Sequence, residues 1–367
     1  MKLSVLILPG DGIGVEVTRE AVKVLRRVAD LHGHEVRLTE GLLGGIAIQQ
    51  TGTPFPDRTR DLAIEADATL LGAVGLPEFD NAPPDKRPER GLLGIRKALG
   101  VYANLRPVRS YRALIDSSPL KNELVDGVDM VIVRELTGGL YYGTPRGISG
   151  SGAEERAVNT MTYTRPEIER VTHMAFQLAQ KRQKHVTSVD KSNVLENSQF
   201  WRRVVVEIAK DYPDVTLDHL LVDNCAMQLV LNPKQFDVLL TENLFGDILS
   251  DEGAVLAGSI GMLPSASLGA KKPSGVRTGL YEPVHGSAPD ITGQNKANPL
   301  GAIGSVAAML EYSFGLTTEA RAVNEAIEQV LNAGHMTADL KPAGTPATTS
   351  QIGELICELL SRSLQPA

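Results

Sequence analysis

Between Asn243 and Asp251 the chain reads NLFGDILSD. A helix starting at Asn243 places Asp247 and Asp251 four residues apart, so both carboxylates leave one helix face, and no lysine or arginine lies between them. Two such charges about 4–5 Å apart repel by roughly 1 kcal/mol in water and by about 4 kcal/mol at an effective dielectric near 20. If that face is buried it needs a positive partner, and a hard divalent cation with oxygen ligands, Mg²⁺ or Mn²⁺, satisfies it best. A solvated acidic face has the same spacing. Against it, Phe245, Ile248 and Leu249 make this helix too apolar to lie loosely on a surface.

A second helix over Glu89–Leu99, ERGLLGIRKAL, brings Glu89, Leu92, Leu93 and Arg96 onto one face at i, i+3, i+4 and i+7. That face suits a ligand with an apolar tail and a carboxylate, and equally an amphipathic helix with a charged rim. Arg106 in NLRPV and Arg134 in VRELTGG follow. Arginines ending distinct elements can grip a dicarboxylate through bidentate contacts. Lys191 in SVDKSNV and Asp223 after Leu217–Val222 sit just past strands, where catalytic groups of α/β proteins project. Lysine, or a tyrosine such as Tyr141, serves acid–base chemistry once desolvation or a nearby cation shifts its pKa. Singly, each also suits a structural role.

Tyr281–Asn298 reads YEPVHGSAPDITGQNKAN. Gly286, Ser287 and Ala288 allow close approach by a ligand. Asp290 suits ribose hydroxyls and would repel a 2′-phosphate, which favours NAD over NADP. His285 reads equally as a ligand contact or as a loop-ordering residue. The stretch Pro9–Gly14, PGDGIG, invites a dinucleotide-binding assignment, but the third glycine of that fingerprint falls at Val15. A tight strand-to-helix turn with permissive glycines is the simpler reading.

Positioning these groups requires a layered scaffold. Short β-rich runs (Val5–Leu8, Ala68–Ala73, Met130–Val133, His185–Val189, Leu217–Val222, Val238–Thr241) alternate with amphipathic helices such as Val15–His32, Pro166–Lys181 and Gln199–Lys210. This is the pattern of an α/β fold around a largely parallel sheet. Gly138–Tyr163, rich in Gly, Ser and aromatics, suits a disordered loop or an arm packing on a second subunit, and Tyr141-Tyr142 favours order. Gly269–Gly279 reads as a surface loop, and a last helix ends near Leu364.

A length of 367 residues allows two domains, and a net charge of −7 leaves no basic excess for nucleic acid or an anionic membrane. Cys225 and Cys357 form no CxxC pair, which fits a reducing compartment. Leu3–Leu8 is too short for a signal-peptide core, and the uncharged run Gly253–Ala270 is too rich in Gly, Ser and Pro for a membrane span. A cytoplasmic protein is expected.

GDGIG, ERGLL..R, ANLRP, VRELTGG.Y.G, SVDK.NVL, VDN.AMQL, NLFGDILSD and EPVHGSAPDI.G occur in order along nearly the whole chain. Together they closely resemble the isocitrate/isopropylmalate dehydrogenase family of metal-dependent β-decarboxylating dehydrogenases. The resemblance implies a two-domain, layered α/β/α fold with a non-standard dinucleotide site. Residues 1–101 plus 258–367 would form the NAD-binding domain. Residues 102–257 would carry the substrate and metal groups, the dimer interface and an arm at about 137–165, with the site in the cleft between. It implies NAD-dependent oxidative decarboxylation of (2R,3S)-3-isopropylmalate to 4-methyl-2-oxopentanoate and CO₂, in leucine biosynthesis.

By position, Arg96, Arg106 and Arg134 would bind the malate carboxylates. Asp223, Asp247 and Asp251 would hold Mg²⁺ or Mn²⁺. Lys191, Asp223 and Tyr141 would be catalytic, Lys191 taking the hydroxyl proton and Tyr141 protonating the enolate. Glu89, Leu92, Leu93 and Val194 would surround the isopropyl group. Glu89, His285, Gly286, Ser287, Ala288, Asp290, Ile291 and Asn298 would contact NAD. A homodimer with shared sites is implied, Lys191 and Asp223 coming from the second copy. Isocitrate enzymes resemble the pattern but carry small polar residues in place of Leu92 and Leu93, so the leucines select an apolar tail. Glu242 stands where relatives often have a small residue, adding negative charge close to the Asp247–Asp251 helix; the Gly269–Gly279 loop is longer than in many relatives, and GLPEFD replaces a Gly-Gly-Pro run. A sibling activity on tartrate, malate, isocitrate, homoisocitrate or a longer alkylmalate is the nearest alternative, and a non-catalytic regulatory subunit is a further one.

Overall fold

The computed structural model describes residues 1–83 and 86–362. Its strands are β1 (Lys2–Gly10), β2 (Glu35–Glu40), β3 (Ala68–Ala73), β4 (Ala103–Arg109), β5 (Asp129–Glu135), β6 (Gly147–Ser149), β7 (Arg156–Val158), β8 (His185–Asp190), β9 (Thr216–Leu221), β10 (Val238–Thr241), β11 (Pro264–Lys271) and β12 (Arg277–Pro283). The chain divides into two compact units. The first comprises Met1–Val101, Ser110–Pro119 and the part from Ala257 onward; the second comprises Tyr102–Arg109 and Leu120–Leu256.

In the first unit the strand order is β2-β1-β3-β12-β11. All neighbours run parallel except β11, which is antiparallel to β12. Every residue of β3, ATLLGA, is buried, as expected for a strand covered on both faces. The helix Gly14–His32 buries Val17, Ala21, Val24, Leu25 and Val28 at helical spacing and stops at Gly33, whose φ of 70° suits a residue without a Cβ. The helix Leu300–Tyr312 is buried almost all round, which explains why β11 and β12 could be built from small residues such as Ser265, Ser267 and Gly279. The stretch Ser110–Pro119 belongs here, although it lies inside the span the sequence assigned to the second domain. Leu114 is buried and the Ser117 hydroxyl donates to the Leu340 carbonyl at 2.8 Å.

The second unit has the order β4-β5-β10-β8-β9, parallel except for β4 against β5. Its core gathers Val108, Met130, Ile132, Val189, Leu239 and Leu249. The helix Arg165–Gln180 opens with a reciprocal cap between Thr164 and Glu167. The arm contains an antiparallel hairpin, β6 with β7, so it is ordered rather than a loose loop, and every residue of both strands is exposed.

Several strands escape the apolar pattern. β2 is a charged edge strand, β4 carries Pro107, β11 is rich in small residues, and β12 opens with Arg277, Thr278 and Gly279. Gly269–Gly279 is therefore not one surface loop: its ends belong to β11 and β12, and the turn is closed by the Lys272 N–H to Val276 at 2.7 Å. The last helix is Thr349–Arg362, and Leu364 lies outside the described residues. Among the described residues no helix is long and apolar enough to cross a membrane.

Gly246, in the helix Asn243–Ala254, lets another side chain cross that helix: a Cβ there would come within 2.7 Å of Arg134 Cβ and Cγ. Gly246→Ala should lower stability by about 1–3 kcal/mol through overpacking, read as a lower urea midpoint at unchanged slope. An unchanged midpoint would show that Arg134 yields freely.

Candidate active site

In the second unit, the register Asn104↔Arg134 and the two-residue period of a strand put Arg106 on the same sheet face as Arg134. Arg106 thus projects from the middle of β4 rather than from an element end. β10 leads directly into the helix Asn243–Ala254. The buried Arg134 guanidinium donates through Nε and Nη2 to Asn243 Oδ1, at 2.9 and 2.8 Å, and pairs through Nη1 with Asp247. Arg106 lies 3.7 Å from Asp247 and 3.2 Å from Asp251. The Tyr141 hydroxyl donates to Asp247 Oδ2 at 2.7 Å. The positive partner demanded by the two aspartates is thus already present as two guanidiniums, which the local sequence around Asp247 does not reveal.

These contacts shift the titration of both groups. Burial alone would raise the Asp247 carboxyl; Arg134, the Tyr141 hydroxyl and Arg106 outweigh it and hold it below the usual range. Burial, reinforced by Asp247, pushes the Tyr141 hydroxyl up to about 12. Tyr141 is therefore a protonated donor near neutrality.

Glu242, expected as surplus negative charge beside this helix, caps it instead. Its carboxylate accepts from the N–H groups of Leu244 and Phe245 at 3.0 and 2.6 Å and from the Tyr163 hydroxyl at 3.1 Å. Tyr163 in turn accepts the Asn243 N–H at 2.9 Å. Burial raises the Glu242 carboxyl, opposed by these donors. Along the same helix Leu249 is buried but Ile248 is 58% exposed.

Asp223 does not join Asp247 and Asp251. It lies exposed in the first turn of the helix Val222–Leu231, paired with Lys191 at 2.8 Å, and the Lys191 ammonium lowers its pKa. Val194, one turn beyond Lys191, is exposed. Among the described residues, no three His, Cys, Asp or Glu side chains of one chain converge as a metal site.

In the first unit, Arg96 is buried and its Nη2 donates to Glu282 at 2.7 Å, while its Nε is buried without a partner. Arg96 therefore faces a carboxylate of its own unit rather than solvent, an ion pair the helix pattern does not reveal. Leu92 packs on the core cluster around Leu6, Leu71 and Leu280, Leu93 is half-buried, and Glu89 is exposed.

His285 is buried. One ring nitrogen contacts the Gly286 carbonyl at 2.9 Å and Nε2 has no partner among the described residues; burial lowers its pKa. A Cβ on Gly286 would meet nothing within 4 Å. Ala288 adopts a φ of 38°, and Asp290 and Ile291 follow in a short turn, Asp290 exposed. Asn298 is occupied structurally, donating to Asp339 at 3.0 Å and accepting the Leu300 N–H at 3.0 Å.

The PGDGIG turn is a clasp within this unit. Gly10 and Gly12 take φ of 70° and 57°, and the Ile13 N–H donates to the Ser287 carbonyl at 2.8 Å. Asp11, Glu242, Tyr163, Asn243 and Glu282 were not singled out as site-building residues from sequence. Only Asp11, a carboxylate locked between two glycines, carried a local signal.

With this geometry in place, comparison with known proteins is direct. The family model described as isocitrate/isopropylmalate dehydrogenase matches residues 4–356. A 3-isopropylmalate dehydrogenase of Halalkalibacterium halodurans is 55% identical over 99% of each chain. Another, of Geobacillus kaustophilus, is 60% identical over 93% of this chain and 90% of its own. A crystal structure of isocitrate dehydrogenase from Methylococcus capsulatus superposes with a TM-score of 0.85 at 35% identity, covering 98% of this chain and 99% of the other. The chain belongs to the isocitrate/isopropylmalate dehydrogenase family.

Proposed function

We propose that this protein oxidatively decarboxylates (2R,3S)-3-isopropylmalate with NAD⁺, a step of leucine biosynthesis. The observation that carries the choice of substrate is the pair Leu92 and Leu93 on the helix bearing Arg96. Placing a third carboxylate against two leucines costs several kcal/mol without a partner, on the order of 2–7. An isopropyl group there gains about 1.5–3 kcal/mol. The names of the similar proteins from Halalkalibacterium and Geobacillus support the same substrate.

The residues present fit both cofactors. Asp247 and Asp251 offer hard oxygen ligands from one helix face. The unpartnered His285 Nε2 and the open space over Gly286 fit a dinucleotide. When bound, NAD⁺ supplies the hydride acceptor, and a Mg²⁺ or Mn²⁺ ion held by Asp247, Asp251 and Asp223 of the partner subunit supplies Lewis acidity at the hydroxyl oxygen.

This chain's own groups do the rest. Arg106 and Arg134 bind the substrate carboxylates, with Arg96 drawn from Glu282 as the third. Glu89, Leu92, Leu93 and Val194 enclose the tail. Lys191, with Asp223, takes the hydroxyl proton as hydride leaves the adjoining carbon. Once CO₂ has departed, Tyr141 returns a proton to carbon, a role suited to a hydroxyl that stays protonated. In the first unit, His285, Gly286, Ser287, Ala288, Asp290 and Ile291 line the dinucleotide, and Asn298 braces that loop.

Dimerisation belongs to this reading. Met227 and Leu231 on one helix and Ile248 on its neighbour are 56%, 60% and 58% exposed. Such clustered apolar exposure suits a second copy, as do the uncovered β6–β7 arm and the exposed Lys191–Asp223 pair. Two free cysteines suit the cytoplasm.

Steady-state NADH formation should be fastest with 3-isopropylmalate among isopropylmalate, isocitrate, tartrate and malate, and should vanish with EDTA. Faster turnover of isocitrate would overturn the substrate, and no Mg²⁺-dependent NADH formation with any of them would favour a regulatory subunit. Lys191→Ala should cut kcat by roughly 10²–10⁴-fold, the usual contribution of a general base, while the Kd for NAD⁺ stays unchanged. Equal losses in both would mean that the lysine only supports the structure.

A further inference from the structure

Asp11 is 2% exposed and has no cationic partner among the described residues. Its charge is met entirely by backbone donors from two separate segments. Oδ2 accepts the Gly45 N–H at 2.7 Å and the Gly75 N–H at 2.8 Å, and Oδ1 accepts the Ile46 N–H at 2.8 Å. Its own N–H donates to the Ala73 carbonyl at 2.8 Å. Two residues on, the Ile13 N–H holds the Ser287 carbonyl, and a Cβ on Gly12 would come within 2.9 Å of Ser287 Cβ. Among the described residues, a Cβ on Gly75 would meet Ser287 Oγ at 3.4 Å and Glu89 Oε1 at 3.9 Å. One short turn therefore fixes where Gly75 and Ser287 stand relative to each other.

We propose that Asp11 is a positioning residue for the dinucleotide, setting the spacing between the Gly75 loop and the Ser287 loop before the cofactor arrives. This rests on the NAD⁺ reading above, whose own failure shows separately as absence of NAD⁺ binding to the wild-type protein. The chemistry requires a carboxylate. Asparagine keeps the shape but turns an –NH₂ toward an N–H that has no other acceptor, so one loop must move.

The test is NAD⁺ titration by calorimetry together with amide hydrogen exchange. Asp11→Asn should raise the Kd for NAD⁺ by about tenfold or more, matching loss of one charge-assisted hydrogen bond. It should also speed exchange at Gly45, Ile46 or Gly75, and raise the KM for NAD⁺ without raising that for the hydroxy acid. An equal rise in both KM values, or an unchanged Kd, would overturn the proposal, as would absence of NAD⁺ binding to the wild type. If Asp11→Asn fails to fold, the ligand-free wild type still decides. Those amides should already be protected before NAD⁺ is added; exchange at open-loop rates until the cofactor binds would overturn it.

Discussion

A buried guanidinium must have partners, and Arg134 holds the second unit to its site through that requirement. It is 2% exposed, gives two N–H groups to Asn243 and pairs with Asp247. Removing one member of such a buried pair typically costs about 3–5 kcal/mol, because the other is stranded. The pair therefore ties the end of β5 to the helix Asn243–Ala254. Through Asn243 and the Gly138 carbonyl, at 3.0 Å, it also ties in the segment leading to Tyr141. Glu242 and Tyr163 secure the same helix from its N-terminal end. Gly246 is required because the Arg134 stem passes where a Cβ would lie.

The same constraint explains how the site works. Both oxygens of Asp247 are engaged within the chain, one by Arg134 and the other by Tyr141. Under the proposed function, a substrate carboxylate would compete for Arg134 and free the Asp247 oxygen for a cation. Arg134 and Arg106 would then act as internal counter-ions, exchanged for substrate and metal together. Within the first unit, Arg96 is likewise neutralised by a carboxylate of its own unit, Glu282.

Legibility in sequence followed distance along the chain. The Asp247–Asp251 face was readable because four residues on a helix fix their relation locally, and β3 and β10 because buried parallel strands are continuous apolar runs. The Arg96–Glu282 pair spans 186 positions, and the Asp11–Gly75 contact spans 64. Nothing local names the partner in either case. Glu242 was misread as surplus charge because helix caps are usually Ser, Thr, Asp or Asn. β11 is hard to read because a largely buried partner helix lets small residues such as Ser265 and Ser267 fill its face, and β12 because Arg277, Thr278 and Gly279 shorten its apolar run. Asp223, expected beside Asp247 and Asp251, stands exposed on the helix Val222–Leu231 and pairs with Lys191, because the local pattern carries no record of which charge will neutralise it.

The exchange of arginines for substrate and cation is tested most directly by Mn²⁺ titration, followed by electron paramagnetic resonance, with and without 3-isopropylmalate. Substrate should tighten Mn²⁺ binding by about tenfold or more, a usual scale for coupled sites, and Asp247→Asn should abolish the gain. Equal Mn²⁺ affinity in the presence and absence of substrate would contradict the account.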